Sequence, residues 1–573
     1  MNKFFLVIFV SILITSCNNK QNKTKDKIDQ AIGCNPSTIN DKAWYTSGKK
    51  APRFEGLEGV DFKISTSNNE AQQYFNQGMM LTYGFNHAEA ARSFFETSRL
   101  DSNCAMAWWG YAYVLGPNYN GGMEPDHYER AYNAMIKANT LAANCTPVEK
   151  ELIAALQRRY IKTPPEDRSS LDKAYAAAMK KVYVQFSSNP DVGALYAESL
   201  MNLHPWDLYD KQSKKAKAWT PELLAVLEYL MKTNPMHPGA HHFYIHALEA
   251  SATPEKALPS AYLLDTLVSG AGHLMHMPSH IYINSGQYHL GTLSNLRAIE
   301  VDSVYSTACH AQGVYPLAYY PHNIHFLTAT AALEGNSKLA WWAAIKLQEH
   351  TAKDLMQDPA WGTLQHYYSI PFYIAVKFGM WDTILSLPQP PKNLVYPQAI
   401  WHYAKGMAYL GKKDIALAQK EWLQLKTLVA DTVLKQITIW NINTTADLVQ
   451  IATNVLQAEI DAAKNQLASA IPLLQDAVAI EDQLNYNEPP DWFFSVRHHL
   501  GAILLKAGHH AEAEKVYQKD LQTWKTNGWA LIGLYHSLQA QKKEAEAQKI
   551  KTTFDEAWQY ADIKITSSSA LNN

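Results

Sequence analysis

The chain has 573 residues, 47% of them hydrophobic, with 51 Lys and Arg against 53 Asp and Glu and a formal net charge of −2. That length and apolar content bury a large core, too large for one small domain. The near-neutral balance excludes nucleic acid as a partner, since that needs a basic surface.

Residues 1–16 read as a lipoprotein signal peptide. Lys3 supplies positive charge, and residues 4–14 are apolar except for Ser11. The run is too short to span a bilayer and fits an h-region. It leads into Ile14-Thr15-Ser16-Cys17, which resembles a bacterial lipobox with Cys17 as the acylated (palmitate-bearing) residue. The alternative is an ordinary signal peptide with an unrelated cysteine. Acylation would make membrane lipid the first partner without any transmembrane helix. Residues 17–50 are polar and read as a flexible tether. Lys20, Lys23 and Lys25 stand where surface-exported lipoproteins of Bacteroidetes-like bacteria carry acidic residues. The expected location is therefore the cell envelope, on the periplasm-facing side of the outer membrane. Export permits disulfides. The remaining cysteines are Cys34, Cys104, Cys145 and Cys309; Cys104 and Cys145 each follow a helical segment and either bridge adjacent loops or remain free.

The body is periodic. In residues 71–104, Tyr74, Gly78, Ala90 and Phe94 take the fourth, eighth, twentieth and twenty-fourth places, and Trp108 takes the fourth place of the next unit. This resembles the tetratricopeptide repeat of about 34 residues. Turn markers recur at Gly286 with Gly291, Gly335 with Ala340, Gly379, Gly411 with Ala416, and Gly508 with Ala513. Thr146-Pro147-Val148-Glu149 is a capping box, and Thr220-Pro221 opens another helix. No alternating strand pattern appears, so no sheet is expected. The fold class is all-α, a TPR-like α-solenoid of about ten helical pairs wound into a superhelix with a concave groove. It divides into N-terminal repeats (51–235), His-rich central repeats (236–380), C-terminal repeats (381–565) and a disordered tail (566–573).

The second, fifth, ninth and twelfth places of each repeat share the groove face. With the register fixed by glycine and alanine, those places are Gly239, His242, His246 and Glu249, then His273, His276, His280 and Ile283, then His322, His325, Ala329 and Ala332. Eight of these twelve are His or Glu, whereas 22 histidines in 573 residues would supply about half a histidine by chance. His366 follows in the next repeat. Side chains three or four apart on a helix are neighbours, so each helix offers a chelating pair. His242, His246, His276 and His280 are expected to bind directly, with Glu249 and His273 next and His322 and His325 completing the set. Imidazole and carboxylate suit a divalent Zn, Fe, Mn or Cu ion. A groove for a polar ligand without metal, or structural hydrogen bonding, remain the other readings.

Secondary candidates for the ligand groove are Asn118 and Asn120 in a Gly-rich insertion, Trp206 after a helix exit, and Asp491 with Arg497 before a late helix, where Asp491 is expected to cap the helix start. No phosphate-binding, dinucleotide or hydrolase-elbow motif occurs, and there is no haem attachment motif, so no nucleotide or haem is expected.

The runs from His241 to Ser251 and from Ala271 to Tyr282, with Glu488 to Arg497, resemble a family of long bacterial tetratricopeptide-repeat lipoproteins of unassigned function. The resemblance implies the fold and treats the histidine runs as one site, and brings no activity. The expected function is a membrane-anchored protein that binds a protein, peptide or small-molecule ligand in a His-rich groove, with a divalent metal. The alternative is a metal-dependent hydrolytic or oxidative enzyme on the same cluster, accessory to a nutrient-uptake system.

Overall fold

The computed structural model describes residues 42–309, 318–358 and 361–572, with backbone alone at 304–309. The expected signal peptide, Cys17, Lys20, Lys23, Lys25 and Cys34 lie outside the described residues, as does the side chain of Cys309. A short helix, α1 (Lys42–Thr46), precedes the repeats. Twelve helix pairs follow among the described residues. The N-terminal pairs are α2 (Asn69–Tyr83) with α3 (His87–Leu100), α4 (Ala105–Val114) with α5 (His127–Leu141), α6 (Pro147–Leu156) with α7 (Ser169–Gln185), and α8 (Pro190–Met201) with α9 (Thr220–Thr233). The central pairs are α10 (Pro238–Leu248) with α11 (Leu258–Leu267), the broken helix α12 (Gly272–His276) and α13 (Pro278–Ser285) with α14 (Tyr288–Cys309), α15 (Tyr320–Leu333) with α16 (Ser337–His350), and α17 (Gly362–Lys377) with α18 (Trp381–Ser386). The last four are α19 (Val395–Gly411) with α20 (Ile415–Leu428), α21 (Thr445–Ala463) with α22 (Leu467–Glu481), α23 (Arg497–Lys506) with α24 (His510–Thr523), and α25 (Gly528–Ala540) with α26 (Glu544–Ala557). The protein is an all-α solenoid of TPR-like pairs. About ten pairs were expected from the sequence, and the described residues hold twelve.

Local chemistry fixes the ends. Thr146 forms the expected capping box with Glu149, with Pro147 inside the first turn. Pro278 lacks the N–H that would continue the helix and splits α12 from α13. A two-stranded hairpin, β1 (Thr438–Ile439) and β2 (Asn443–Thr444), is inserted between α20 and α21.

Aromatic side chains lock neighbouring repeats through glycine. Phe94 lies against Gly78 and Gly110, where an added Cβ would stand 2.6 and 2.5 Å from its ring. Tyr517 repeats the device between Gly501 and Gly533, at 2.3 and 2.1 Å.

Three sequence expectations change. Residues 44 and 45, expected within the flexible tether, are packed: Trp44 and Tyr45 lie on Phe95, and Arg92 sits over Trp44. The tail is not disordered over its described residues: the Ser568 hydroxyl donates to the His498 carbonyl at 2.7 Å, and Ser568 and Ser569 are buried. The groove is not an open trough, because the last repeats fold back on the central ones. The Lys525 carbonyl accepts from Tyr288 at 2.7 Å, Thr526 donates to the Gly286 carbonyl at 2.7 Å, and Asp562 accepts from the amides of Ser337 and Lys338. Gly286 and Gly335 sit at φ +80° and +82° beneath this closure, and a Cβ at either would strike Thr526 or Trp558.

Two large apolar cores result, one from residues 57–282 and one from 283–547. The central histidines lie at the seam between them.

Gly110→Val forces Phe94 out of its slot. Overpacking of this kind costs about 1–3 kcal/mol, so the thermal midpoint should fall. A midpoint equal to the wild type would contradict the clamp.

Candidate metal centre

Helices α10, α12–α13 and α15 are the first helices of three successive repeats, and their inward faces meet. The rings of His242 and His246, one turn apart on α10, have centroids 4.8 Å apart. His273 approaches His242 at 5.0 Å, and His246 approaches His280 at 5.8 Å. His276 stands 4.8 Å from His280 and 4.9 Å from His322. All are buried except His322, which is half-buried. Glu249 ends α10 and is 2% exposed.

The outer ring nitrogens are tied down. His242 donates from Nδ1 to the Tyr83 carbonyl at 2.5 Å. His246 Nδ1 donates to Glu249 Oε1 at 3.0 Å. His276 Nδ1 donates at 2.7 Å to Asn295 Oδ1, whose amide is oriented by its own bond to the Gly291 carbonyl. His280 Nδ1 meets Glu249 Oε2 at 2.8 Å and also Glu488. In each neutral ring the proton on Nδ1 leaves a lone pair on Nε2. Those Nε2 atoms face inward. His242 Nε2 and His246 Nε2 are buried without a hydrogen-bond partner, and His276 Nε2 lies 2.9 Å from His280 Nε2. An oxygen acceptor behind each imidazole is the support that orients metal-binding histidines.

Electrostatics divide the set. Burial pushes His242, His246, His273 and His276 below their ordinary range, and the neighbouring rings push His242, His273 and His276 further. Burial acts the same way on His280, but the Glu488 and Glu249 carboxylates overcome it and raise it to about 10. Burial pushes Glu249 up, but His246 and His280 more than offset this, and it is held below the usual carboxylate range. Glu488 stays raised to about 7, because burial outweighs the attraction of His280. Without metal, His280 carries a proton that its Nε2 donates to His276. An ion bound between the two nitrogens would replace that proton.

Other predicted residues take different places. His325 and His366 form a separate pair, 5.3 Å apart, packed with Tyr367, Phe493 and Tyr396. Three residues beyond His322, His325 points past the cluster to the next repeat. Asn120 and Trp206 border a cavity of about 60 Å³ together with His246, His273, His280 and His322. Between them, Tyr119 stacks on Trp206 at 5.2 Å and lies 5.3 Å from His246. Asn118 instead shapes its own loop, bridging to Gly121 and accepting from the Asn120 amide. Asp491 does not cap a helix: it accepts from Asn443 and Asn487, and burial pushes it up to about 7. Arg497 pairs with Asp482, away from the histidines. Cys104 and Cys145 are buried free thiols, so they form no bridge.

Phe85 and Phe326 were missed in the sequence, and Glu488 was noted only as part of the segment 488–497. Glu488 arrives from more than two hundred residues away, held by Asn284, which lies one turn beyond His280. Phe85 floors the rings of His242, His246 and His273 at 4.6–5.8 Å, and Phe326 floors those of His276, His280 and His322 at 4.5–5.1 Å. The spacing of His322 and Phe326, one turn apart, could have signalled the second floor; nothing local marks the first.

Beside the cluster lies a cavity of about 430 Å³, bordered by Glu249, Asn284, Glu488, Asp491, Arg497 and Lys525. Glu249 and Glu488 face both this space and His280. No helix among the described residues is long and apolar enough to cross a membrane.

No protein-family model and no curated protein matches the chain. Among solved structures, it is similar to a human IFIT1 dimer with m7Gppp-AAAA, at 13% identity and TM-score 0.29, covering 87% of this chain and 92% of that one. It is also similar to the TPR domain of P58(IPK), at 12% identity and TM-score 0.19, covering 85% and 92%. A third is the APC/C hetero-tetramer Cut9-Hcn1, at 12% identity and TM-score 0.28, covering 88% and 90%. These scores are too low to bear on what this chain binds, and the fold rests on the helix pairs described above.

The titrations predict an acid-labile metal-free protein. His242, His246, His273, His276, His325 and His366 are all lowered when folded. Below pH of about 6.5 the unfolded chain takes up protons that these rings refuse, at about 1.4 kcal/mol per group per pH unit. His280 opposes them: being raised, its contribution is complete below about 6.5 and fades as pH climbs toward about 10. Glu249, being lowered, contributes above its ordinary value and loses that only in stronger acid. Thermal midpoints should therefore drop steeply from pH 6.5 to 5. A flat profile there would contradict the buried neutral imidazoles.

Proposed function

We propose that the protein is a lipid-anchored envelope protein that holds a transition-metal ion on its buried His/Glu cluster and exposes it to a ligand entering from the adjoining cavity. One observation carries the reading: imidazoles on different helices have Nδ1 fixed by an oxygen and Nε2 turned to a common interior, with two of those nitrogens lacking any partner. A buried polar atom left unpaired costs about 1–3 kcal/mol, and metal coordination removes that cost. The donor set is rich in imidazole and contains no thiolate. It suits Zn or Cu best, then Fe, and Mn least.

The supports are physical. Glu249, Asn295 and the Tyr83 carbonyl orient the rings, and Phe85 and Phe326 exclude water beneath them. An anchor at Cys17 would keep the solenoid at the membrane surface. A second reading, a hydrolytic or oxidative metal enzyme, is favoured by Glu488. Its carboxyl, held near neutrality between cavity and cluster, suits proton transfer to or from a bound water.

Purified without metal-affinity resin, the protein should carry Zn or Cu by elemental analysis, and adding the ion to stripped protein should raise its melting temperature. The double variant His246→Ala, His276→Ala should lose both effects. Metal-free protein with no thermal response would overturn the reading. Cys17→Ser should move the protein from the membrane to the soluble fraction; retention at the membrane would contradict the anchor.

A further inference from the structure

We infer that the cluster holds two metal ions side by side, one on His242, His246 and His273 and the other on His276, His280 and His322; this rests on the metal-binding reading above. The six imidazoles fall into two groups built alike. Within each group, the potential ligand atoms of the three rings lie within 4.8 Å of one another. Phe85 lies 4.6–5.8 Å from all three rings of the first group, stacked on two of them, and Phe326 lies 4.5–5.1 Å from all three of the second, tilted or edge-on. An ion with metal–nitrogen bonds of about 2.0–2.1 Å gathers three or four such atoms, not six spread over two floors.

Glu249 joins the groups. Its Oε1 accepts from His246 of the first, and its Oε2 lies 2.8 Å from Nδ1 of His280 in the second. One carboxylate thus sits beside a ring of each group. Charge also fits a pair. Glu249 and Glu488 place two carboxylates beside His280, where they supply negative charge next to a pair of cations. Three imidazoles leave each ion an open position. Both groups border the same cavity of about 60 Å³, the first through His246 and His273 and the second through His280 and His322. On the scale of about 10–15 Å³ of such space per water, it has room for a few waters, so a water, a hydroxide or a small polar ligand can reach both groups. A larger substrate would approach from the wider cavity past Glu488.

The untagged full chain, stripped with chelator and reloaded with Zn(II) or Cu(II), should retain two equivalents after desalting. His242→Gln and His322→Gln should each retain one. In the Cu(II) form, coupling between the ions should broaden or quench the paramagnetic resonance signal, and each variant should recover the signal of an isolated ion. One equivalent in the wild type would overturn the two-ion arrangement while leaving a single-metal site standing. No bound metal in any form would overturn both. Should either variant fail to fold, His273→Gln and His276→Gln cut the same two groups and decide the matter in the same way.

Discussion

Imidazole lone pairs turned toward one another in a buried interior are the constraint that the central repeats are arranged around. Neutral histidine satisfies one nitrogen with a donor bond and must find a partner for the other. Here the first requirement is met from outside, by the Tyr83 carbonyl, Glu249 and Asn295. The second is left facing inward, so the rings converge on shared space without satisfying each other. His276 and His280 manage it only by sharing a proton, which draws Glu249 and Glu488 into the interior as counter-charge.

That polar seam explains the larger architecture. An apolar core ends at residue 282 and another begins at 283, so the histidine helices are where one packed body meets the next. A TPR-like array normally leaves its concave face to solvent. In this chain the last repeats swing back across it, and their contacts fall on Gly286, Tyr288, Ser337 and Ala332, on or beside the helices that carry the imidazoles. Closure packs the last repeats against the helices that carry the imidazoles, and the larger cavity beside the cluster offers a route of approach.

Much of the fold was legible because repeat architecture writes itself locally. Tyr74, Gly78, Ala90 and Phe94 stand at fixed offsets because each meets the same neighbour in every unit, and the Gly78–Phe94–Gly110 contact is the physical content of that spacing. The histidine faces were legible for the same reason, since one-turn separations place rings together on any helix. What the periodicity could not carry was contact between distant turns. Phe85 sits in a loop 157 residues before His242, and Glu488 comes from a segment joining two late helices. His325 satisfied the spacing rule, but the superhelical twist between α15 and α17 turned it toward His366 instead. Asp491 had the sequence position of a cap, yet the chain makes another turn before α23 begins, so its carboxylate went to Asn443 and Asn487.

The most direct test is anomalous X-ray diffraction from crystals grown with the native metal complement, recorded at the absorption edges of zinc and copper. Strong peaks within bonding distance of the Nε2 atoms of His242 and His246 and of His276 and His280 are the predicted result. Ordered water hydrogen-bonded to those nitrogens, with no anomalous peak in the cluster, would contradict the account and make the histidines a hydrogen-bonded polar core.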